Sequence, residues 1–359
     1  MVSKNNKKVV CAMSGGVDSS VAAALLKKEG YKVVGVFMRM HNFSNPEDAK
    51  KTAKKLGIDF KIVDVRKEFK KRVIDYFIKE YVRGRTPNPC VECNRWIKFN
   101  FLIEEMLKQK ADFVATGHYT RLCREFSISN SQFSNKLLTA RDKTKDQSYF
   151  LWTLNQKQLS KILFPIGEYT KNEIKKIAKD LNLPAHKSKE SQEICFINTN
   201  LHEFLRKRIN TNKGLIITKD GKKVGEHEGL AFYTIGQRKG IGIGGIGPFY
   251  VIDKNYKKNE LIVAQGDFNK ALFKKEMLVK KINWINETNL PADRQGLPLK
   301  CKVKIRYLHP AMPATINEQQ TMNNEQLKVF FNKKQRAITP GQSAVFYRGN
   351  EVLGGGIIC

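Results

Sequence analysis

Short apolar runs rich in β-branched residues alternate with stretches of helical periodicity along the first third of the chain. Lys8 to Met13 predicts a buried strand, Ser19 to Lys28 a helix and Tyr31 to Met38 a second strand. Pro46 to Leu56 predicts a helix stopped by Gly57, Phe60 to Val65 a third strand, and Trp96 to Lys108 a helix ahead of the strand-like Phe113 to Thr116. Continuous apolar strands separated by helices point to a parallel sheet covered on both faces, because each crossover helix lays its apolar side on the sheet.

Beyond about residue 205 the texture becomes glycine-rich with short strands: Gly214 to Thr218, a turn at Lys219 to Lys223, Gly240 to Gly247, and Phe249 to Asp253. From Met277 onward Val279 to Trp284, Lys300 to Tyr307, Leu327 to Phe331 and Ser343 to Tyr347 predict a further all-β unit ending in Gly354, Gly355 and Gly356. Such punctuation favours small barrels or sandwiches. The polar run Ser127 to Ser134 predicts a surface loop. The expected fold is α/β, a parallel-sheet domain over 1–204, a small mostly β domain over 205–274 and a C-terminal all-β unit, barrel or sandwich, over 275–359.

No apolar run approaches the ~20 residues of a membrane span, so no membrane role is expected. The 359 residues carry 65 Lys and Arg against 34 Asp and Glu, a formal net charge of +31. That excess predicts a polyanionic partner, nucleic acid first, although part of it could be solvated lysine faces such as Lys50-Lys51 and Lys70-Lys71. Seven cysteines, an odd number without regular spacing, and an N-terminus lacking an apolar leader predict a reducing, cytoplasmic setting with free thiols rather than a disulfide framework.

Ser14-Gly15-Gly16-Val17-Asp18-Ser19-Ser20 follows the first strand and opens the first helix. Glycines there let successive N–H groups face an anion, and the helix start adds partial positive charge. The Gly-Lys-Ser/Thr ending of a Walker loop is missing; the form SGGxDS is that of pyrophosphatase-type loops in adenylating enzymes. In Gly84-Arg85-Thr86-Pro87-Asn88-Pro89-Cys90-Val91-Glu92-Cys93-Asn94 the prolines forbid helix up to Pro89, which sets Cys93 at or just inside a helix N-terminus. The dipole, with Arg85, Arg95 and Lys98, should favour its thiolate. A lone Cys-x-x-Cys fits half a zinc site, a redox pair or two buried thiols, and the missing second ligand pair disfavours structural zinc. Cys195, in the strand-like Ser191 to Phe196, reads alone as a core cysteine, and Cys11, Cys123, Cys301 and Cys359 read as structural. Three clusters are more polar than a core: Thr116 to Tyr119 at a strand end, Lys145 to Tyr149, and Tyr233 to Gly240.

SGGVDSS, TPNPCVECNRWIKF, ATGHY, KDQSYFL, SQEICFI, YTIGQRKGIGI, Arg306-Tyr307 and TPGQSAVFY occur in an order, and over essentially the whole chain, that resembles the tRNA-specific 2-thiouridylases. The resemblance implies a PP-loop, HUP-like nucleotide-binding domain followed by a small central domain and a β-barrel. It implies an ATP-dependent sulfurtransferase that adenylates O2 of the wobble uridine and replaces it with sulfur carried as a persulfide. Ala12, Met13, Ser14, Gly15, Gly16, Val17, Asp18, Ser19, Met38 and Gly117 then match contacts to ATP, used with Mg2+. Cys93 matches the nucleophile and Cys195 the persulfide carrier; Asn88, Pro89 and Cys90 match the stretch that meets the target base. His118, Lys145, Asp146, Gln147, Arg306, Tyr307 and Gln342 match tRNA contacts. The implied partners are tRNAs with a wobble uridine, those for Glu, Gln and Lys, and a protein that donates sulfur. Two departures stand out: the segment after Met38 is brief, Arg39 to Pro46, and position 90 is Cys where some members have Asp. Cys90, Cys93 and Cys195 would also supply three ligands to an iron–sulfur cluster, a less favoured alternative because the four-cysteine pattern is incomplete. Rival readings are an argininosuccinate-synthetase-type ligase and an RNA-binding module without turnover.

Overall fold

In the computed structural model, residues 6–127, 132–187, 194–244, 247–286, 298–319 and 326–359 are described. β1 (Lys8–Ala12), α1 (Val17–Lys28), β2 (Lys32–Arg39), α2 (Glu47–Leu56) and β3 (Asp59–Asp64) follow the predicted alternation closely. With β4 (Phe113–Ala115) and β7 (Ile162–Leu163) the strands pair in parallel in the order β3-β2-β1-β4-β7. α1 buries Val17, Val21, Ala22 and Leu26 under one face beside α8 (Lys171–Asp180), and α6 (Phe99–Lys108) buries Phe99, Leu102 and Met106 under the other. Gly57 ends α2 at φ +58, the left-handed stop that glycine takes without strain.

Between β3 and β4 the chain is more helical than predicted. α3 (Arg66–Phe69), a π turn (Lys70–Ile74) and α4 (Asp75–Val82) form one rod, and α5 (Pro89–Cys93) runs through a second π turn (Asn94–Lys98) into α6. Phe69, Val73, Phe77 and Tyr81 recur every four residues and, with Phe196 and Phe204, form the apolar cluster that holds Cys93. Phe204 lies on α9 (Leu201–Arg206), whereas Ile194 to Phe196 form a turn and not the expected strand; Ser191, Gln192 and Glu193 lie outside the described residues.

β5 (Thr120–Ser127) and β6 (Gln132–Thr139) form an antiparallel hairpin, so both ends of the run read as a loop are strand, and 128–131 lie outside the described residues. α7 (Gln156–Leu159) precedes β7. The central unit is a four-stranded sheet in the order β10-β11-β8-β9, from β8 (Gly214–Thr218), β9 (Lys223–His227), β10 (Phe249–Asn255) and β11 (Glu260–Gln265). Residues 240–244 form no strand, and 245–246 are outside the described residues.

β12 (Phe273–Trp284), β13 (Leu299–Lys304), β14 (Met312–Gln319), β15 (Gln326–Arg336), β16 (Ser343–Arg348) and β17 (Glu351–Ile358) close into a six-stranded barrel in the order β12-β15-β14-β13-β16-β17, sealed by β12 against β17. The expected strand through Tyr307 stops at Lys304, because Arg306 to His309 turn back with His309 N–H donating to the Arg306 carbonyl. β14 was not anticipated. The barrel is joined to the first domain: β17 pairs with β6, Tyr149 donates to the Ser343 carbonyl at 2.9 Å, and the Trp152 indole donates to Ser343 Oγ at 3.0 Å.

Candidate active site at the carboxyl ends of the parallel strands

β1 has β2 on one side and β4 on the other, which makes the carboxyl end of β1 the switch point where open α/β sheets leave a crevice. The glycine turn after β1 lies there. Gly15 adopts φ +89, and Gly16 caps α1 without a side-chain bond to the first helical amides. Ser19 Oγ donates to the Gly16 carbonyl at 3.1 Å and accepts from Ser14 N–H at 3.1 Å, with Ser14 Oγ at 3.2 Å. These bonds fold the turn into a cup of amides and hydroxyls suited to an anion. From β4, Gly117 crosses the first turn of α1 so closely that a Cβ would lie 2.7 Å from Ser19 N. Met13 packs over Gly35, where a Cβ would meet Met13 Sδ at 2.5 Å.

Asp18 is held by residues far away in sequence. Its Oδ1 accepts from Tyr119 Oη at 2.7 Å, and Lys171 Nζ donates to both oxygens, at 2.7 and 2.9 Å. The Lys171 side chain is only 8% exposed, so the pair is partly desolvated and fixes the carboxylate at the lip of the cup. Sequence reading missed Lys171 and Tyr119 as members of this site: no local spacing links position 18 to 119 or 171.

The thiols gather on the neighbouring cluster, and Met38, at the end of β2, packs against both the sheet core and that cluster. Asn88 caps α5, its Oδ1 accepting from Cys90 N–H at 3.1 Å with Pro89 in the first turn. Cys93 is therefore a full turn inside the helix, beyond the region where the dipole acts strongly. It is buried, with Sγ 3.9 Å from Met40 Sδ, and burial pushes its thiol up to about 12, against the thiolate expected from sequence. Two of the three cations invoked for it are engaged elsewhere. Arg85 pairs with Glu80 at 3.2 Å, and Arg95 stacks on Trp96 at 4.7 Å opposite Arg72. Of the three cations only Lys98 lowers the thiols: its charge acts on Cys90, Cys93 and Cys195, and reaches His118 as well. Cys195, read in isolation as a core cysteine, is exposed, as is Cys90. Partial desolvation by the surrounding protein nonetheless raises both thiols, and Cys90 raises Cys195 further. The three thiols thus share one electrostatic neighbourhood. Among the described residues no three His, Cys, Asp or Glu side chains stand as a metal-ligating group, so this arrangement does not fit an iron–sulfur cluster.

Several residues matched to tRNA contact are turned inward. His118 is buried, with Nδ1 2.8 Å from Thr116 Oγ1 and its ring stacked on Phe99, and burial drives its pKa well below the usual imidazole value. The ring is thus neutral at pH 7 and offers phosphate no ion pair. Asp146 is buried and accepts from Ala140 N–H at 3.0 Å and from the Ser148 hydroxyl at 2.9 Å, which orders its own loop. Gln147 Oε1 accepts from Tyr119 N–H at 2.9 Å, Arg306 Nη2 bonds three protein acceptors, and Gln342 Nε2 donates to the Thr86 carbonyl at 2.7 Å. Lys145 is half-buried. The Tyr307 ring packs 4.4 Å from that of Phe150, near enough to Cys90 for the thiol's charge to raise its hydroxyl.

Three family models match in series: the tRNA methyl transferase HUP domain over 7–199, the tRNA methyl transferase PRC-barrel domain over 202–265, and the aminomethyltransferase beta-barrel domain over 274–358. Among similar proteins, the tRNA-specific 2-thiouridylase MnmA of Buchnera aphidicola is 44% identical, the match covering 100% of this chain and 98% of the relative. MnmA 1 of Geobacillus kaustophilus is 45% identical over 98% of this chain and 95% of its own length. Among solved structures, the U34-tRNA thiolase NcsA from Methanococcus maripaludis with its [4Fe-4S] cluster is 24% identical at a TM-score of 0.37, the match covering 54% of this chain and 63% of that one.

Proposed function

The chain belongs to the tRNA-specific 2-thiouridylase family and is a tRNA sulfurtransferase, and from that premise we propose that it activates the wobble uridine with ATP and delivers sulfur through a cysteine persulfide. A C2 carbonyl oxygen is a poor leaving group. Attack of uridine O2 on the α-phosphorus of ATP releases pyrophosphate and turns that oxygen into part of AMP, a good one. The turn from Ser14 to Ser19 suits the pyrophosphate: its α1 amides are uncapped by side chains and its hydroxyls point inward. The Ser14 and Ser19 hydroxyls and the Asp18 carboxylate are hard oxygen donors that fit a magnesium ion arriving on the nucleotide, where it would neutralise phosphate charge.

In the second half, Cys195 receives sulfur as a persulfide and its terminal sulfur attacks C2. Cys93 attacks Cys195 Sγ, the S–S bond to the transferred sulfur breaks, AMP leaves, and a Cys93–Cys195 disulfide remains for a dithiol reductant to reopen. Burial of Cys93 keeps it protonated in the free protein, and proximity to Lys98 supports ionisation once substrate encloses the site. The observation that carries the reading is the shared neighbourhood of Cys90, Cys93, Cys195 and Lys98 beside the sheet ends. It also favours sulfur over methyl transfer, which the domain descriptions name and which has no use for these thiols.

The other implied features belong to the same proposal. Residues 1–204 would handle nucleotide and sulfur, and 205–274 and 275–359 would grip tRNAs for Glu, Gln and Lys. A separate protein would load Cys195. Among the described residues no helix is long and apolar enough to cross a membrane, and free thiols suit the cytoplasm. The test is mass spectrometry of the protein after loading with sulfur and of tRNA after adding ATP. An extra sulfur on Cys195, pyrophosphate release that requires tRNA, and 2-thiouridine at the wobble position are expected. Activity in Cys195→Ser would overturn the relay, as would loss of activity together with bound iron in Cys90→Ser.

A further inference from the structure

Thr86 is the point where all three domains touch, two residues before the Asn88 cap of the helix that carries Cys90 and Cys93. Its N–H donates to the Pro340 carbonyl of the barrel at 2.9 Å, and its own carbonyl accepts from Gln342 Nε2 at 2.7 Å. Its hydroxyl shares a 3.0 Å bond with Thr234 of the central domain. Between the two barrel partners Gly341, at φ +93, lies against the same strap: a Cβ there would fall 2.9 Å from Thr86 N and from Arg85 Cβ. The turn bearing these groups is anchored by Arg306, whose Nη2 donates to Thr339 Oγ1, to the Ala337 carbonyl at 3.1 Å and to the Ile235 carbonyl of the central domain at 3.0 Å.

We infer that Gln342 and Arg306 are positioning residues for sulfur transfer: through Thr86 they set where the Asn88 to Cys93 segment stands, so that the two domains proposed to grip tRNA also place the thiols. This rests on the thiolation reading above. Gln342 Nε2 and Arg306 Nη2 are both engaged with protein acceptors. Only Pro87 separates Thr86 from the extended cap residue Asn88, itself followed by Pro89, so a displaced Thr86 moves the cap with little slack. Displacements on the order of 1 Å between reacting groups cost roughly a hundredfold in rate. The Ser14 to Ser19 turn follows β1, on a different segment of the first domain, and among the described residues no bond links it to Thr86, so adenylation should be spared.

The experiment uses the full chain loaded on Cys195 with sulfane sulfur from a polysulfide, an unmodified wobble-uridine tRNA transcript and ATP. It reads three quantities: tRNA affinity by filter binding, tRNA-dependent ATP–pyrophosphate exchange, and single-turnover 2-thiouridine formation at saturating tRNA. For Gln342→Ala we expect affinity and exchange within about twofold of wild type and thiolation at least tenfold slower. Thr86→Val, which keeps the shape and loses the bond to Thr234, should show the same split to a smaller degree, and Thr86→Ser should restore wild-type rates. Weaker tRNA binding with a rate recovered at saturation would make Gln342 a tRNA contact and overturn the inference. Parallel loss of exchange and thiolation, or no loss in either variant, would overturn it too. A wild-type protein that exchanges pyrophosphate but forms no 2-thiouridine would instead fail the thiolation reading, which is a separate result.

Discussion

A thiol packed among Met40, Phe196 and Ile197 reacts with an alkylating agent only through its ionised fraction, and for Cys93, pushed up to about 12, that fraction at pH 8 is roughly one in ten thousand. Iodoacetamide should therefore modify the exposed Cys90 and Cys195 well before Cys93 in the free protein, with peptide mass spectrometry reading the order. The Cys93 rate should climb with pH past 9 without levelling; a plateau below pH 9 would show a stabilised thiolate. The same shift carries a sign for stability. The folded value lies above the unfolded value of 9.0, so the contribution of the neutral thiol is complete below pH 9 and is lost as pH rises toward 12. At Asp18 the balance is different. Asp18→Ala removes the carboxylate that Lys171 pairs with, and because a third of the Asp18 side chain is exposed the loss should be on the order of 2 kcal/mol, below the ~3–5 of a fully buried pair. Thermal denaturation should show that loss, and pyrophosphate exchange should fall to background while tRNA affinity holds. The turn from Ser14 to Ser19 between strand and helix was legible because its motif is local, whereas Cys195 read by itself suggested a core cysteine. Lys171, Tyr119 and the inward turn of His118 were not legible, since each depends on partners from other parts of the chain.

Among the elements, β1, α1, β2, α2 and β3 were legible because continuous β-branched runs and a Gly57 stop leave little else to form. The rod from Arg66 to Val82 was passed over: its apolar residues recur every four positions through a π turn, amid Lys67, Lys70, Lys71 and Arg72, which mask the stripe. The polar run Ser127 to Ser134 was read as a loop between strands; its two ends instead belong to β5 and β6, whose pairing with each other no local pattern marks. The junction of β4 with α1 makes a prediction at this scale. Gly117→Ala must push the first turn of α1 or the end of β4, a crowding that costs ~1–3 kcal/mol. Its larger effect should be on chemistry, because the displaced backbone at Asp18 and Ser19 forms the anion cup. Pyrophosphate exchange should drop at least tenfold while the melting temperature shifts by only a few degrees; unchanged exchange would remove Gly117 from the site.

For the whole molecule, +31 of net charge and three domains joined at Thr86 and Ser343 describe a body made to hold a large polyanion against a small reactive centre. Composition made the partner class legible, but not how the domains join, because the bonds at Thr86 involve backbone groups that no sequence pattern marks. Binding should weaken steeply with salt, log K falling against log salt by about 0.7 per phosphate contact on single-stranded regions and 0.9 on duplex. A flat response in filter binding would point to a small-molecule substrate. The central claim is that this chain puts sulfur on the wobble uridine through Cys93 and Cys195. It is tested most directly by mass spectrometry of tRNA from cells lacking the gene, alone or carrying wild-type, Cys93→Ser or Cys195→Ser copies. The account predicts that wobble 2-thiouridine disappears with the gene, returns with the wild type and stays absent with either serine variant. Persistence of 2-thiouridine without the gene, or its return with Cys195→Ser, would contradict it.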